Sequence, residues 1–164
     1  MNDSEFWGII RAARNAAGDD IEGRALALAQ ELEPLALDAI QSFQLTYDAH
    51  LERANRWPLW GAAYFLIGSC TDIDFRYFLD WLISEGREAY EATLQDPDSL
   101  AARSETDCFQ LDSFGYAAQE VYESKSGEEI ERDFPVESAR PFGSEWDEDT
   151  MRRMFPRLAE RFDG

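Results

Sequence analysis

Apolar residues recur at helical spacing along most of the chain. Between residues 4 and 17, Phe6, Ile9, Ile10 and Ala13 share one face, after polar Asn2, Asp3 and Ser4 that can cap the free amides of a first turn. Gly18 ends that helix. A second helix is predicted from Asp20 to Glu33 on Ile21, Ala25, Leu28 and Leu32, with Asp19 or Asp20 as its cap. Pro34 opens a new element, because its fixed φ suits a first turn and the amide it lacks would be unpaired there. The third helix, Leu35 to Asn55, carries Ile40, Phe43, Tyr47, Leu51 and Ala54 on one stripe, with His50 at its edge. A lone histidine with no neighbouring metal-ligand pattern reads as a packed, hydrogen-bonded side chain. Nothing alternates with period two for long enough to predict a strand, and no repeat or heptad seam recurs.

The stretch from Trp57 to Tyr90 holds three of the five tryptophans and marks the centre of the fold. Pro58 fits a first helical turn. Trp57, Trp60, Tyr64 and Ile67 share one face of that helix and Leu59, Ala63 and Leu66 the other, so it is buried on most sides. Small Gly61, Ala62 and Ala63 allow a neighbour to approach closely. Thr71 and Asp74 form an approximate capping box for a helix over 72–84, with Asp72 near its positive end and Phe75, Phe78, Leu79 and Leu82 inward. Gly86 ends or kinks it, a shorter helix from Arg87 carries Tyr90 and Leu94, and Pro97 starts a further short one. After a polar stretch at 103–112, helix resumes near Ser113 and stops at Gly127. Residues 128–149 read as a long loop pinned by Phe134, Phe142 and Trp146. The end is helical on Met151, Met154, Phe155, Leu158 and Phe162, and Pro156 kinks or splits it.

These elements predict an all-α domain, an irregular or orthogonal bundle of about seven to nine helices rather than an up-and-down one. Its expected parts are a main bundle over 1–126, an acidic wrapping loop over 127–149 and a C-terminal helix over 150–164. A length of 164 residues suits one domain.

Charge narrows the partners. The net charge is −19, and residues 88–149 carry 18 acidic side chains against 4 basic ones. Such a surface repels phosphate backbones and anionic lipid, which argues against nucleic acid and membrane, and attracts basic proteins. Cys70 and Cys108 are too few for a disulfide framework or thiolate metal site and are expected to be reduced and buried. The opening MNDSEFWGII lacks the basic and apolar regions of a signal peptide, and the apolar run Trp57–Ile67 is too short to span a bilayer. A cytoplasmic setting is expected.

The runs Arg56-Trp57-Pro58-Leu59-Trp60-Gly61-Ala62-Ala63-Tyr64, Gly68-Ser69-Cys70-Thr71-Asp72, Phe75-Arg76-Tyr77-Phe78, Trp81-Leu82-Ile83 and Gly86-Arg87-Glu88 resemble the bacterial domain of unknown function 4240. Phe6-Trp7, Asp96-Pro97-Asp98-Ser99-Leu100 and the helix with Val121 and Tyr122 extend the likeness, and Phe155-Pro156-Arg157-Leu158 is similar to a tail of some members. Pro58, Ser69 and Thr71 depart from the family pattern, with consequences for packing and capping. The resemblance implies a bacterial origin and a compact helical domain, and carries no activity with it.

No phosphate-binding glycine loop, His-Glu-x-x-His or nucleophile elbow is present. The polar residues bordering the aromatic stretch are Arg56, Asp72, Asp74, Arg76 and Arg87. Asp72 and Asp74 can ligate a hard cation only with a third oxygen from elsewhere, and capping plus pairing with Arg56 and Arg87 explains them without one. Trp57 at a helix start is the tryptophan expected to be exposed, with Trp60 and Trp81 in the core. Trp146 sits among Glu145, Asp147, Glu148 and Asp149, a mixture of anchor and charge found at interfaces. The leading expectation is a non-enzymatic protein-binding or regulatory module for a basic partner, such as a neutralised toxin, with no cofactor and no metal. The alternative is a small-molecule or metal-assisted enzyme with its site at Arg56, Trp57, Asp72, Asp74 and Arg87; a third reading is a homodimer through the terminal helix.

Overall fold

The computed structural model describes residues 1–68, 71–103, 109–133 and 146–163. Cys70, Cys108, Phe134, Phe142 and Glu145 lie outside the described residues. Within them the regular structure is all helical: α1 (Asp3–Ala17), α2 (Arg24–Leu32), α3 (Leu37–Ala54), α4 (Trp57–Ile67), α5 (Asp72–Ser84), α6 (Arg87–Gln95), α7 (Ala117–Ser126), α8 (Glu148–Met154) and α9 (Pro156–Asp163), with 3₁₀ turns at Pro97–Ala102 and Phe114–Tyr116. No described helix is long and apolar enough to cross a membrane.

Most helix starts follow the chemistry read from sequence. Asn2 and Glu5 close a reciprocal capping box on α1, and Thr71 and Asp74 do the same on α5. The start of α2 differs. It forms four residues later than predicted because the Asp20 carboxylate accepts from the Gly23 amide at 3.0 Å, turning the chain before the helix begins. That carboxylate lies so close that a Cβ on Gly23 would sit 2.4 Å from it. Lys125, the one lysine, reaches from α7 to the carbonyls of Glu33 and Leu35 and satisfies acceptors at the end of α2.

α5 is the axis of the core, with nine of its thirteen residues buried. Phe78, Trp81 and Leu82 belong to one buried cluster with Phe43 and Tyr47 of α3 and Phe6, Trp7 and Ile10 of α1. Polar groups, Asp80, Arg76 and His50 among them, are buried with this core. Asp80 is wholly inaccessible, accepts from Tyr47 Oη at 2.5 Å and from Arg76 Nε at 3.2 Å, and lies beneath Gly115. Burial raises the Asp80 carboxyl while Arg76 draws it back down; Arg76 itself is lowered by burial and carried above its usual value by Asp80. His50 stacks on Phe6 at 5.0 Å with Nε2 3.3 Å from Asp3 Oδ1, and burial lowers its pKa against the pull of Asp3. It is a packed side chain with a carboxylate partner.

Residues 128–133 strap across α3. Gln41 exchanges two side-chain bonds with the Glu131 backbone, and Asp48, fully buried, accepts from Arg132 Nη2 at 2.7 Å and from the Asp133 amide at 3.0 Å. The C-terminal stripe folds back onto the domain. Phe155 and Leu158 are buried against α4 and the Pro97–Ala102 turn, which leaves Met154 and Phe162 as the exposed apolar residues of that stripe. Pro156 splits the predicted helix in two, as its missing amide requires. Gly61 admits the Phe155 ring, and a Cβ there would lie 2.5 Å from Cε2. Gly61→Ala is therefore expected to lower unfolding free energy by about 1–3 kcal/mol through overpacking, read by urea denaturation.

Candidate anion-binding site

An arginine-lined cleft forms where α1, α2, the α5–α6 turn and the end of the Pro97–Ala102 turn meet. Arg11 and Arg14 lie one turn apart on the polar face of α1. Gly18, at φ 60°, ends α1 so that Asp19 and Ile21 run along one wall and Arg24 enters at the first residue of α2. Glu85 caps α5, and Gly86, at φ 103°, swings the chain into α6 and sets Arg87 at its start. Arg103 follows the 3₁₀ turn. Arg161 of α9 donates to the carbonyls of Ala101 and Arg103 and fixes that backbone.

Three guanidinium groups converge on one carboxylate. Arg24 Nη1 lies 2.7 Å from Glu85 Oε2 and donates to Ser84 Oγ at 2.9 Å, Arg14 Nε stands 3.7 Å from the same carboxylate oxygen, and Arg103 pairs with Oε1. Exposure separates their roles. The side chains of Arg24 and Glu85 are 5% and 9% exposed, whereas Arg14 and Arg103 are 46% and 36% exposed. Arg24 thus fixes Glu85 from within, and Arg14 and Arg103 present their guanidinium groups to the cleft. Arg103 lies 5.9 Å over the Trp81 ring. Its pKa is lowered, by burial first and then by repulsion from Arg14 and Arg24.

The cavity these residues line has a volume of about 1060 Å³ and also includes Asn15 and Asp19. A second cavity of about 390 Å³ shares Arg14 and Glu85 and adds Ser4, Trp7, Arg11, Arg87 and Glu88. Five of the fifteen basic residues of a chain with net charge −19 line this one region. Forked guanidinium donors at a cleft wall suit carboxylate or phosphate oxygens.

The residues singled out from sequence do not share this place. Arg87 alone stands in the cleft. Asp72 and Asp74 start α5, whose thirteen residues put roughly 20 Å between them and Arg87 at 1.5 Å per residue. Asp74 accepts from the Thr71 amide at 3.1 Å, which lowers its pKa, and from Gln110 at 3.3 Å. Among the described residues no ion pair joins Arg56 or Arg87 to Asp72 or Asp74, so the expected pairing is replaced by capping alone. No group of three or more His, Cys, Asp or Glu among the described residues could hold a metal ion. Arg56 is the exposed N-cap residue of α4. Trp57 is half-buried, edge-on to Trp146 at 6.2 Å, and its carbonyl accepts from Trp146 Nε1 at 2.8 Å. Trp60 is also half-buried, stacked on Phe75 at 4.4 Å, while Trp81 is 1% exposed. Trp146 therefore closes the aromatic face of α4.

Residues 1–124 match the model of a family described as Protein of unknown function (DUF4240). The chain belongs to this family. All five cleft arginines fall inside the matched span, whereas the strap after α7, Trp146, α8 and α9 fall outside it. No curated protein and no solved structure matches the chain. Arg14, Arg24, Glu85 and Arg103 carried no motif in the sequence. The spacing of Arg11 and Arg14 was the one local signal, and it is equally the signal of a solvated helix face.

Proposed function

We propose that this DUF4240 protein is a non-enzymatic binding module whose arginine cleft takes a small anionic ligand. The observation that carries the reading is the convergence of Arg14, Arg24 and Arg103 on Glu85 at the wall of a cavity of about 1060 Å³. Three arginines against the carboxylates of Glu85 and Asp19 leave one positive charge that an anion can neutralise. Its volume is just above the usual range for small-molecule sites, and polar groups from α1, α2, the α5–α6 turn and Arg103 line it. Titration calorimetry with inorganic phosphate at fixed ionic strength should give saturable binding. Arg103→Gln should weaken it about tenfold or more, the equivalent of one lost charge-assisted bond, whereas Arg53→Gln, whose partner Glu91 lies outside the cleft, should leave it unchanged. Absence of saturable heat, or equal loss in both variants, would refute the reading.

A second reading is favoured by a different observation. Glu128, Glu129, Glu131 and Asp133 on the strap and Asp147, Glu148 and Asp149 at the start of α8 are all exposed. Each of these acidic stretches suits a basic protein partner, a toxin to be neutralised among them. Such a complex should dissociate at high salt and weaken when Glu148 and Asp149 become glutamine and asparagine; a salt-insensitive complex would exclude this surface.

A further inference from the structure

The two chambers of the cleft point to a more specific ligand than a single anion. We propose that they hold one elongated molecule carrying an oxyanion group, carboxylate or phosphate, at each end. This rests on the anion-binding reading of the same cleft. The chambers adjoin, because Arg14 and Glu85 line both. Taken together, five arginines face Asp19, Glu85 and Glu88, and five positive against three negative charges leave a net +2. A molecule with a carboxylate at each end matches that balance, a monocarboxylate leaves half of it unmet, and a phosphate at each end, about −1.5 to −2 apiece, exceeds it.

Size and placement agree. A simple inorganic oxyanion displaces only a few waters of about 30 Å³ each, far less than the larger chamber of about 1060 Å³. Arg24 is buried against Glu85, so the first anionic end meets the exposed Arg14 and the part-exposed Arg103. The second end meets Arg11 and Arg87, both exposed, which line the smaller chamber. Ile21 and Trp7 line one chamber each and give the connecting chain apolar surface to lie against. Joining two weak anion contacts in one molecule makes the second intramolecular, which raises affinity without any new contact type.

The test is calorimetry on the full chain at constant ionic strength with hexanoate, adipate, suberate and hexanediol bisphosphate. At least one two-ended compound should bind about tenfold or more tightly than hexanoate, and the better of the carboxylate and phosphate arms identifies the end group. The double variant R11Q/R87Q, at two exposed positions, should erase that advantage, with its circular dichroism and melting curve confirming an intact fold. Hexanoate and phosphate that bind while the two-ended compounds gain nothing would overturn the two-ended ligand and leave the anion site standing. Failure of every anion would overturn both.

Discussion

Asp80→Ala is expected to lower the unfolding free energy by about 3–5 kcal/mol, the usual cost of leaving a buried ion without its partner. Asp80 is the only acceptor of the described Arg76 hydrogen bonds, and Arg76 is itself 3% exposed. Its two terminal nitrogens are buried with no hydrogen-bond partner among the described residues, and the guanidinium otherwise has the Tyr116 ring 6.0 Å away. Removing the carboxylate also strips the acceptor from Tyr47 Oη, which burial and Asp80 together keep protonated far above its usual range. The penalty comes mainly from the stranded charge. The double variant R76M/D80A should therefore be more stable than D80A, although it retains one native group fewer. Urea unfolding with linear extrapolation measures both. A D80A protein as stable as the wild type, or a double variant less stable than D80A, would contradict this description of the core.

Asp98→Ala is the second large effect, expected at about 2–4 kcal/mol from a lost cap and an orphaned buried amide. Asp98 sits in the Pro97–Ala102 turn, 5% exposed, and caps a helix far away in sequence. Its Oδ2 accepts from the Arg157 amide and Nε, both at 3.1 Å, and its Oδ1 from the Leu158 amide at 2.9 Å. Those amides belong to the first turn of α9, where Pro156 prevents the chain from continuing α8 and satisfying them. Loss of the carboxylate should release α9, exposing Phe155 and Leu158. Hydrogen exchange at the Leu158 amide should accelerate by more than that of core amides in α5. Equal protection in the variant would show that α9 is held by its apolar face alone.

Most helices were legible because their evidence is local. The i, i+3, i+4 stripes of α1, α3 and α5, the proline at the start of α4 and the capping pair Thr71–Asp74 all lie within one or two turns of the elements they specify. The start of α2 was not legible, since Ile21 continues the apolar period while the Asp20 carboxylate, bonded to the Gly23 amide, holds the chain in a turn. The cleft was legible only in part. Arg87 could be singled out beside the aromatic stretch, but Arg24, Glu85 and Arg103 come from three segments distant in sequence and meet only after α1, α2 and α5 have packed. Arg76 and Asp80 show the opposite case. They sit one turn apart inside the buried stripe of α5, a local signal of a core ion pair, and the structure uses Arg76 there and not at a ligand. Trp57 and Trp146 needed the fold as well, because the bond between them joins α4 to a segment 89 residues later.

The most direct test of the anion cleft is a nuclear magnetic resonance titration following the arginine Nε–Hε signals as phosphate is added at constant ionic strength. The signals of Arg14 and Arg103 should move together and saturate at one dissociation constant, while those of Arg53 and Arg157, held by Glu91 and by Asp96 with Asp98, should stay in place. Signals of all arginines drifting in step without saturation, or cleft signals that do not move, would contradict the existence of the site.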